Sequence, residues 1–167
     1  MIAGDIRHAA RQRWGVLVLV FLATLVSGRA VQADTDPGAL HEIYLAAVNS
    51  GDTEAVTALY APDGEFLGGG GCSPEPCRGS TAIRLAYETL VAQHTQITLL
   101  EQQVDGDVLH ATTEFRNDLV QHAGVDRIIS NVTLEVSGDQ ISALRAEPDL
   151  TDDQTVRFIQ FLSGPRP

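Results

Sequence analysis

The chain has 167 residues, 11 arginines, no lysine and 22 acidic residues, for a net charge of −11 at neutral pH. That balance excludes the basic footprint of a nucleic-acid binder and sets the chain against anionic membrane surfaces. The length suits one domain built around one core.

The chain opens with Arg7, Arg11 and Arg13, and an uncharged, mostly apolar run follows at residues 14–26. Val31-Gln32-Ala33 then places small residues at the two positions a signal peptidase reads. These three parts predict a secretory signal peptide over residues 1–33. The apolar run is shorter than the roughly 20 residues that span a bilayer. The protein is therefore expected outside the cytoplasm, with no membrane association once the leader is removed. The mature chain, residues 34–167, would carry 7 arginines against 21 acidic residues, a net charge of −14 that favours solubility.

Asp36-Pro37 supplies an N-cap and a first-turn proline for an opening helix. Leu40, Ile43, Tyr44, Ala47 and Val48 form its apolar stripe, and Gly51 ends it. Asp52 or Thr53 caps a short second helix carrying Val56, Leu59 and Tyr60. Pro62-Asp63-Gly64 signals a turn before a short strand, Glu65-Phe66-Leu67. In that strand Phe66 is the core residue and Glu65 faces water.

The four glycines at 68–71 have the wrong spacing for a phosphate loop and read as a flexible approach to Cys72 and Cys77. The turn-rich spacer Ser73-Pro74-Glu75-Pro76 and the expected export predict a Cys72–Cys77 disulfide that stiffens this loop.

Ser80 is expected to cap a third helix, with Ile83, Ala86, Tyr87, Leu90 and Val91 on one face. Four strands then follow, near residues 96–104, 108–120, 126–136 and 140–147. Asp105-Gly106-Asp107 and Ser137-Gly138-Asp139 are hairpin turns. Ile128, Ser130, Val132, Leu134 and Val136 share the inner face of the third long strand. On the second, His110, Thr112, Glu114 and Arg116 form the solvated face. Inverted parity would instead bring His110 and Glu114 inside as an acid–base pair.

Thr151-Asp152-Asp153-Gln154 reads as a capping box for a last helix with Val156, Ile159 and Leu162, flanked by Phe158 and Phe161. Asp149 is read as a cap for the same helix. His41 and His94 are placed on the surface. No histidine pair stands at metal-ligand spacing with a carboxylate, so neither a metal nor a cofactor is expected.

Three helices before a curved antiparallel sheet is an α+β layout. On Tyr44 to Asp52, Ala58 to Phe66, Arg78-Gly79-Ser80-Thr81-Ala82-Ile83 and the hairpin at Ser137-Gly138-Asp139, the chain resembles the nuclear transport factor 2-like superfamily in its SnoaL-like branch. The resemblance implies a cone-shaped fold: three N-terminal helices packed on a curved antiparallel sheet, an apolar cavity inside, and here an added C-terminal helix. The division it implies is a SnoaL-like domain over residues 34–150, followed by the helix and tail at 151–167. Leu40, Tyr44, Val48, Tyr60, Phe66, Tyr87 and Val132 are the expected pocket lining.

The superfamily includes ketosteroid isomerases, and Tyr44 falls at their catalytic tyrosine, which donates to a developing oxyanion. The position of their aspartate base is Gly68 here, and that of their protonated aspartate donor is Ser130. With the base lost, that isomerisation is not expected, and Tyr44 and Ser130 remain as candidate catalytic residues. Two classes of function stand. One is binding of a small apolar or amphipathic molecule, with any catalysis a cofactor-free isomerisation, cyclisation or dehydration. The other is a non-catalytic module that forms a homodimer or docks a partner through the outer face of the sheet. The last helix either covers the cavity mouth or swaps onto a partner.

Overall fold

A computed structural model describes residues 35–164; the expected signal segment lies outside them. Helix α1 (Pro37–Ser50) starts where Asp36 accepts from the Ala39 amide at 3.0 Å. It stops at Gly51, whose φ of 74° is the left-handed turn that glycine adopts without a Cβ penalty. Asp52 then caps α2 (Thr53–Ala58) through the Ala55 amide at 2.9 Å.

Helix α2 is shorter than its apolar pattern suggests. Tyr60 leaves it and opens β1 (Tyr60–Leu67), which absorbs Pro62-Asp63-Gly64 as a register shift between Tyr60 and Glu65. The turn signal is real, but it acts inside a strand as an irregularity. Strand β2 (Cys77–Arg78) leads directly into α3 (Gly79–Ala92). Arg78 occupies the N-cap position with no side-chain cap bond, so Ser80 lies within the first turn and is not the cap.

The sheet continues with β3 (Gln96–Asp105), β4 (Val108–Arg116), β5 (Ile128–Ser137) and β6 (Gln140–Pro148). Its strand order is β2-β1-β6-β5-β4-β3. The last four strands form the expected antiparallel meander, whereas β1 joins β6 in parallel. Strand β4 ends four residues earlier than its alternation implies. Asn117 accepts from the Val120 amide at 2.9 Å and starts a short helix, α4 (Asp118–His122). Local capping chemistry overrides strand periodicity here.

The inner face carries the core. Leu109, Leu134, Ile141 and Leu144 of the sheet form one fully or almost fully buried cluster with Val56 of α2 and Ile83 of α3. A second cluster joins Val120 of α4, Val125, Ile128 of β5 and Phe158 of α5 (Asp153–Ser163). The cap of α5 is Asp152, which accepts from the Thr155 amide at 2.9 Å; Asp149 instead holds the preceding turn through Thr151. The capping-box register is therefore one residue off, and Gln154 reaches across to the Asp126 amide.

Candidate functional site

A cavity of about 350 Å³ lies between α1, the glycine run, the inner face of the sheet and α5. Its walls are built as the local sequence dictates. Strand alternation turns Thr113, Phe115, Ser130 and Val132 inward, while His110, Glu114 and Arg116 point outward, so His110 and Glu114 form no internal pair. Phe158, Ile159 and Leu162, at helical spacing on α5, cover one side of the cavity. The face of α5 that packs is set by Thr155 and Phe158, and Phe161 is left exposed.

The glycine run forms another wall. A Cβ on Gly70, whose φ is 69°, would collide with the Ala86 carbonyl, so the backbone rests directly on α3. Cys72 and Cys77 are disulfide-bonded, and Cys72 is buried. The Gly68 amide donates to the Cys72 carbonyl at 2.9 Å, and the Cys72 amide to the Gly69 carbonyl at 3.3 Å. The disulfide loop and the cavity wall are thus one unit, built more firmly than a flexible approach would be.

Of the residues expected to line the pocket, Tyr44, Phe66 and Val132 reach it. Leu40, Val48, Tyr60 and Tyr87 do not; they are packed in the core behind it. Apolar periodicity finds buried positions but does not separate those that fill space from those that border it. Ser130 lines the cavity, is 8% exposed, and its hydroxyl takes part in none of the side-chain hydrogen bonds among the described residues. Gly68 also lines it and brings no side chain to act as a base.

Tyr60 and Tyr87 support the site from behind. The Tyr60 and Tyr87 hydroxyls are 2.7 Å apart, and the Tyr87 hydroxyl donates to the Tyr44 oxygen at 3.2 Å. All three tyrosines of the chain are joined in this buried relay. Burial raises the Tyr44 pKa to about 12, partly opposed by the hydrogen bond from Tyr87. Burial raises Tyr60 and Tyr87 well above the ordinary phenol value. All three stay neutral and remain donors.

His41 corrects the sequence reading most. It is not on the surface: it is 0% exposed and lines the cavity. Its ring stacks beside Tyr44, with centroids 5.9 Å apart and planes 12° apart. Nδ1 lies 3.2 Å from Gln102 Oε1, and Nε2 has no hydrogen-bond partner among the described residues. Burial lowers its pKa, against smaller upward effects of the Gln102 hydrogen bond and the Glu42 charge. The imidazole is held neutral near pH 7. The apolar stripe contained the signal. His41, Tyr44, Leu45 and Val48 follow helical spacing and are buried, whereas Ile43 is 53% exposed. His94 is exposed as expected, with Nδ1 2.7 Å from Asp118 Oδ2.

Among the described residues, none that lines the cavity is charged. The charges gather on the opposite side of the sheet. Glu65 pairs with Arg78 and Arg145, Glu135 with Arg145, and Glu114 with Arg116 and Arg127. Glu65 therefore belongs to the outer face, and Phe66 to the core.

The profile of the SnoaL-like domain family matches residues 41–146. No curated protein matches the chain in sequence. Among solved structures, the chain is similar to a nuclear transport factor 2-like protein of unknown function from Cytophaga hutchinsonii. The two are 12% identical with a TM-score of 0.56, over 68% of this chain and 90% of that one. It is also similar to SalBIII, an epoxide hydrolase/cyclase-like enzyme of pyran ring formation in the polyether salinomycin. There the identity is 17% and the TM-score 0.60, over 72% and 96% of the chains. A de novo designed protein with a curved β-sheet is 17% identical with a TM-score of 0.54, over 75% and 94%. These likenesses concern the fold.

Proposed function

Because the chain belongs to the SnoaL-like domain family, with its nuclear transport factor 2-like α+β fold, we propose that it is an extracytoplasmic protein whose cavity binds a small, mostly apolar molecule. The observation that carries this reading is the cavity: about 350 Å³, walled mainly by apolar side chains, with neutral polar groups at a few positions such as His41, Tyr44 and Ser130. That size and pattern are those of small-molecule sites. The disulfide is compatible with an oxidising compartment, and no described helix is long and apolar enough to cross a membrane. The signal-like residues 1–33 supply the route out.

The dimerisation reading is less well supported. An interface on the outer face calls for an apolar patch there and a filled interior. That face carries the arginine–carboxylate pairs, and the interior holds the cavity.

A second chemical reading, cofactor-free proton transfer, is favoured by one observation: neutral His41 and the Tyr44 phenol stand side by side on the cavity wall. His41 would take a proton while Tyr44 donates to the oxygen that gains charge. SalBIII is described as an enzyme of ring formation, which suits this reading.

Thermal denaturation against a panel of apolar compounds tests the binding reading. A ligand at 100 times its Kd stabilises the native state by about 2.7 kcal/mol. Val132→Trp, which fills the cavity, should abolish that response. A response unchanged by Val132→Trp would place binding elsewhere and overturn the proposal.

A further inference from the structure

At one edge of the cavity the chain fixes an amide donor that its own fold does not use. Asn117 follows β4, is 4% exposed and lines the cavity. The Val120 N–H can only donate, so the Asn117 atom 2.9 Å from it is Oδ1. Nδ2 is thereby turned to Gln93, whose Oε1 accepts from it at 2.7 Å. A flipped Gln93 amide would set two NH2 groups against each other, so its orientation is fixed too. The Gln93 backbone is held as well: the Asp118 amide donates to its carbonyl at 2.9 Å.

These bonds join the end of α3 to the start of α4, and that task uses only the oxygens of Gln93. Its Nε2 carries two protons and takes part in none of the side-chain hydrogen bonds among the described residues. Gln93 lines the cavity and is half-buried, so its amide stands at the cavity's edge. Tyr44, Phe66 and Val132 border the same cavity from buried positions. Phe115 and Leu119, two residues to either side of Asn117, also line it and have side chains without a polar group.

We propose that the occupant is a neutral, mainly apolar molecule bearing a carbonyl group, as in a ketone, ester or amide, and that its oxygen accepts from Gln93 Nε2 while its apolar body lies inward. A carbonyl oxygen has two lone pairs and no proton, which suits a nitrogen that can only donate. A hydroxyl would bring a proton of its own to an amide pair whose oxygens are both engaged. A carboxylate would meet no cation in the lining, within a chain of net charge −11. Asn117 is a positioning residue: it acts through Gln93 by fixing which way that amide points. The proposal rests on the small-molecule reading above and assigns the chemical class of its ligand.

The test compares 2-acetylnaphthalene with 2-isopropylnaphthalene, which has nearly the same shape without the carbonyl, by equilibrium dialysis. Gln93→Glu keeps an acceptor for Asn117 and removes the donors. It should weaken binding of the ketone about tenfold, the effect of one lost hydrogen bond to a polar group, and that of the hydrocarbon less than about twofold. Infrared spectra of the wild-type complex give a readout that does not depend on a variant folding. The carbonyl stretch of the bound ketone should lie below its position in an alkane solvent, and return toward it in Gln93→Glu. An unshifted stretch in the wild type, the same stretch in wild type and variant, or equal weakening of the two compounds overturns the carbonyl assignment while leaving the cavity reading intact. Binding of neither compound overturns both.

Discussion

The two faces of the sheet treat polar groups in opposite ways. Outside, Glu65, Glu114 and Glu135 each meet an arginine, in water or at its edge. Inside, the polar groups are neutral, buried and sparse, and His41 Nε2 has no protein partner among the described residues. Charges near water are screened and their pairs add little to stability. A neutral donor or acceptor in a dry cavity is felt at close to its full strength. The outer face is organised for solubility, and the inner one for the ligand binding we propose.

That contrast breaks most visibly through packing. Leu134, fully buried on the inner face of β5, should cost about 2–5 kcal/mol when changed to alanine, read as a lower denaturant midpoint. A loss below 1 kcal/mol would mean that the inner face is not the close-packed one. Tyr87→Phe removes the middle of the relay and leaves two buried hydroxyls short of a partner. The expected loss is about 1–3 kcal/mol, larger than for Tyr44→Phe, which removes one end.

The pH dependence sharpens the same point. His41 is held neutral by burial, with its folded pKa below the ordinary 6.5. As pH falls below that ordinary value, the unfolded chain binds the proton first, so the stability due to this residue is lost as pH falls through the folded pKa. His41→Leu should flatten the fall in unfolding free energy on the acid side of neutrality. An unchanged slope would contradict the burial of this ring. The smallest effect belongs to the outer face. Arg145→Ala removes pairs whose side chains are 40% and 43% exposed with Glu135 and should cost less than about 1 kcal/mol, shrinking further in salt.

How much of this was legible in the sequence follows the range of the interactions. The cap at Asp36, the stop at Gly51, the two Gly-centred hairpins and the alternation in β4 are local signals, and the structure follows them. Helix α4 is hidden in the sequence because Asn117-Asp118 interrupts a run that alternates like one continuous strand, and a cap signal of two residues is outweighed by that alternation. The parallel pairing of β1 with β6 joins segments about 80 residues apart and leaves no local trace.

The candidate site divides in the same way. Tyr44 and Ser130 were placed by resemblance and parity. The tyrosine relay depends on three elements meeting, which no window of sequence displays. From the sequence alone His41 reads as a surface residue near a helix start, where polar side chains are ordinarily solvated. A bond to Gln102, 61 residues away, is part of what makes its burial tolerable.

The central claim is that the cavity is a working ligand site. Native mass spectrometry of the mature chain, residues 34–167, purified from its own source, tests it most directly. The expected result is a protein carrying a small neutral molecule of one defined mass, lost on denaturation and absent from the Val132→Trp variant. A bare protein that also shows no thermal response to apolar compounds would contradict it.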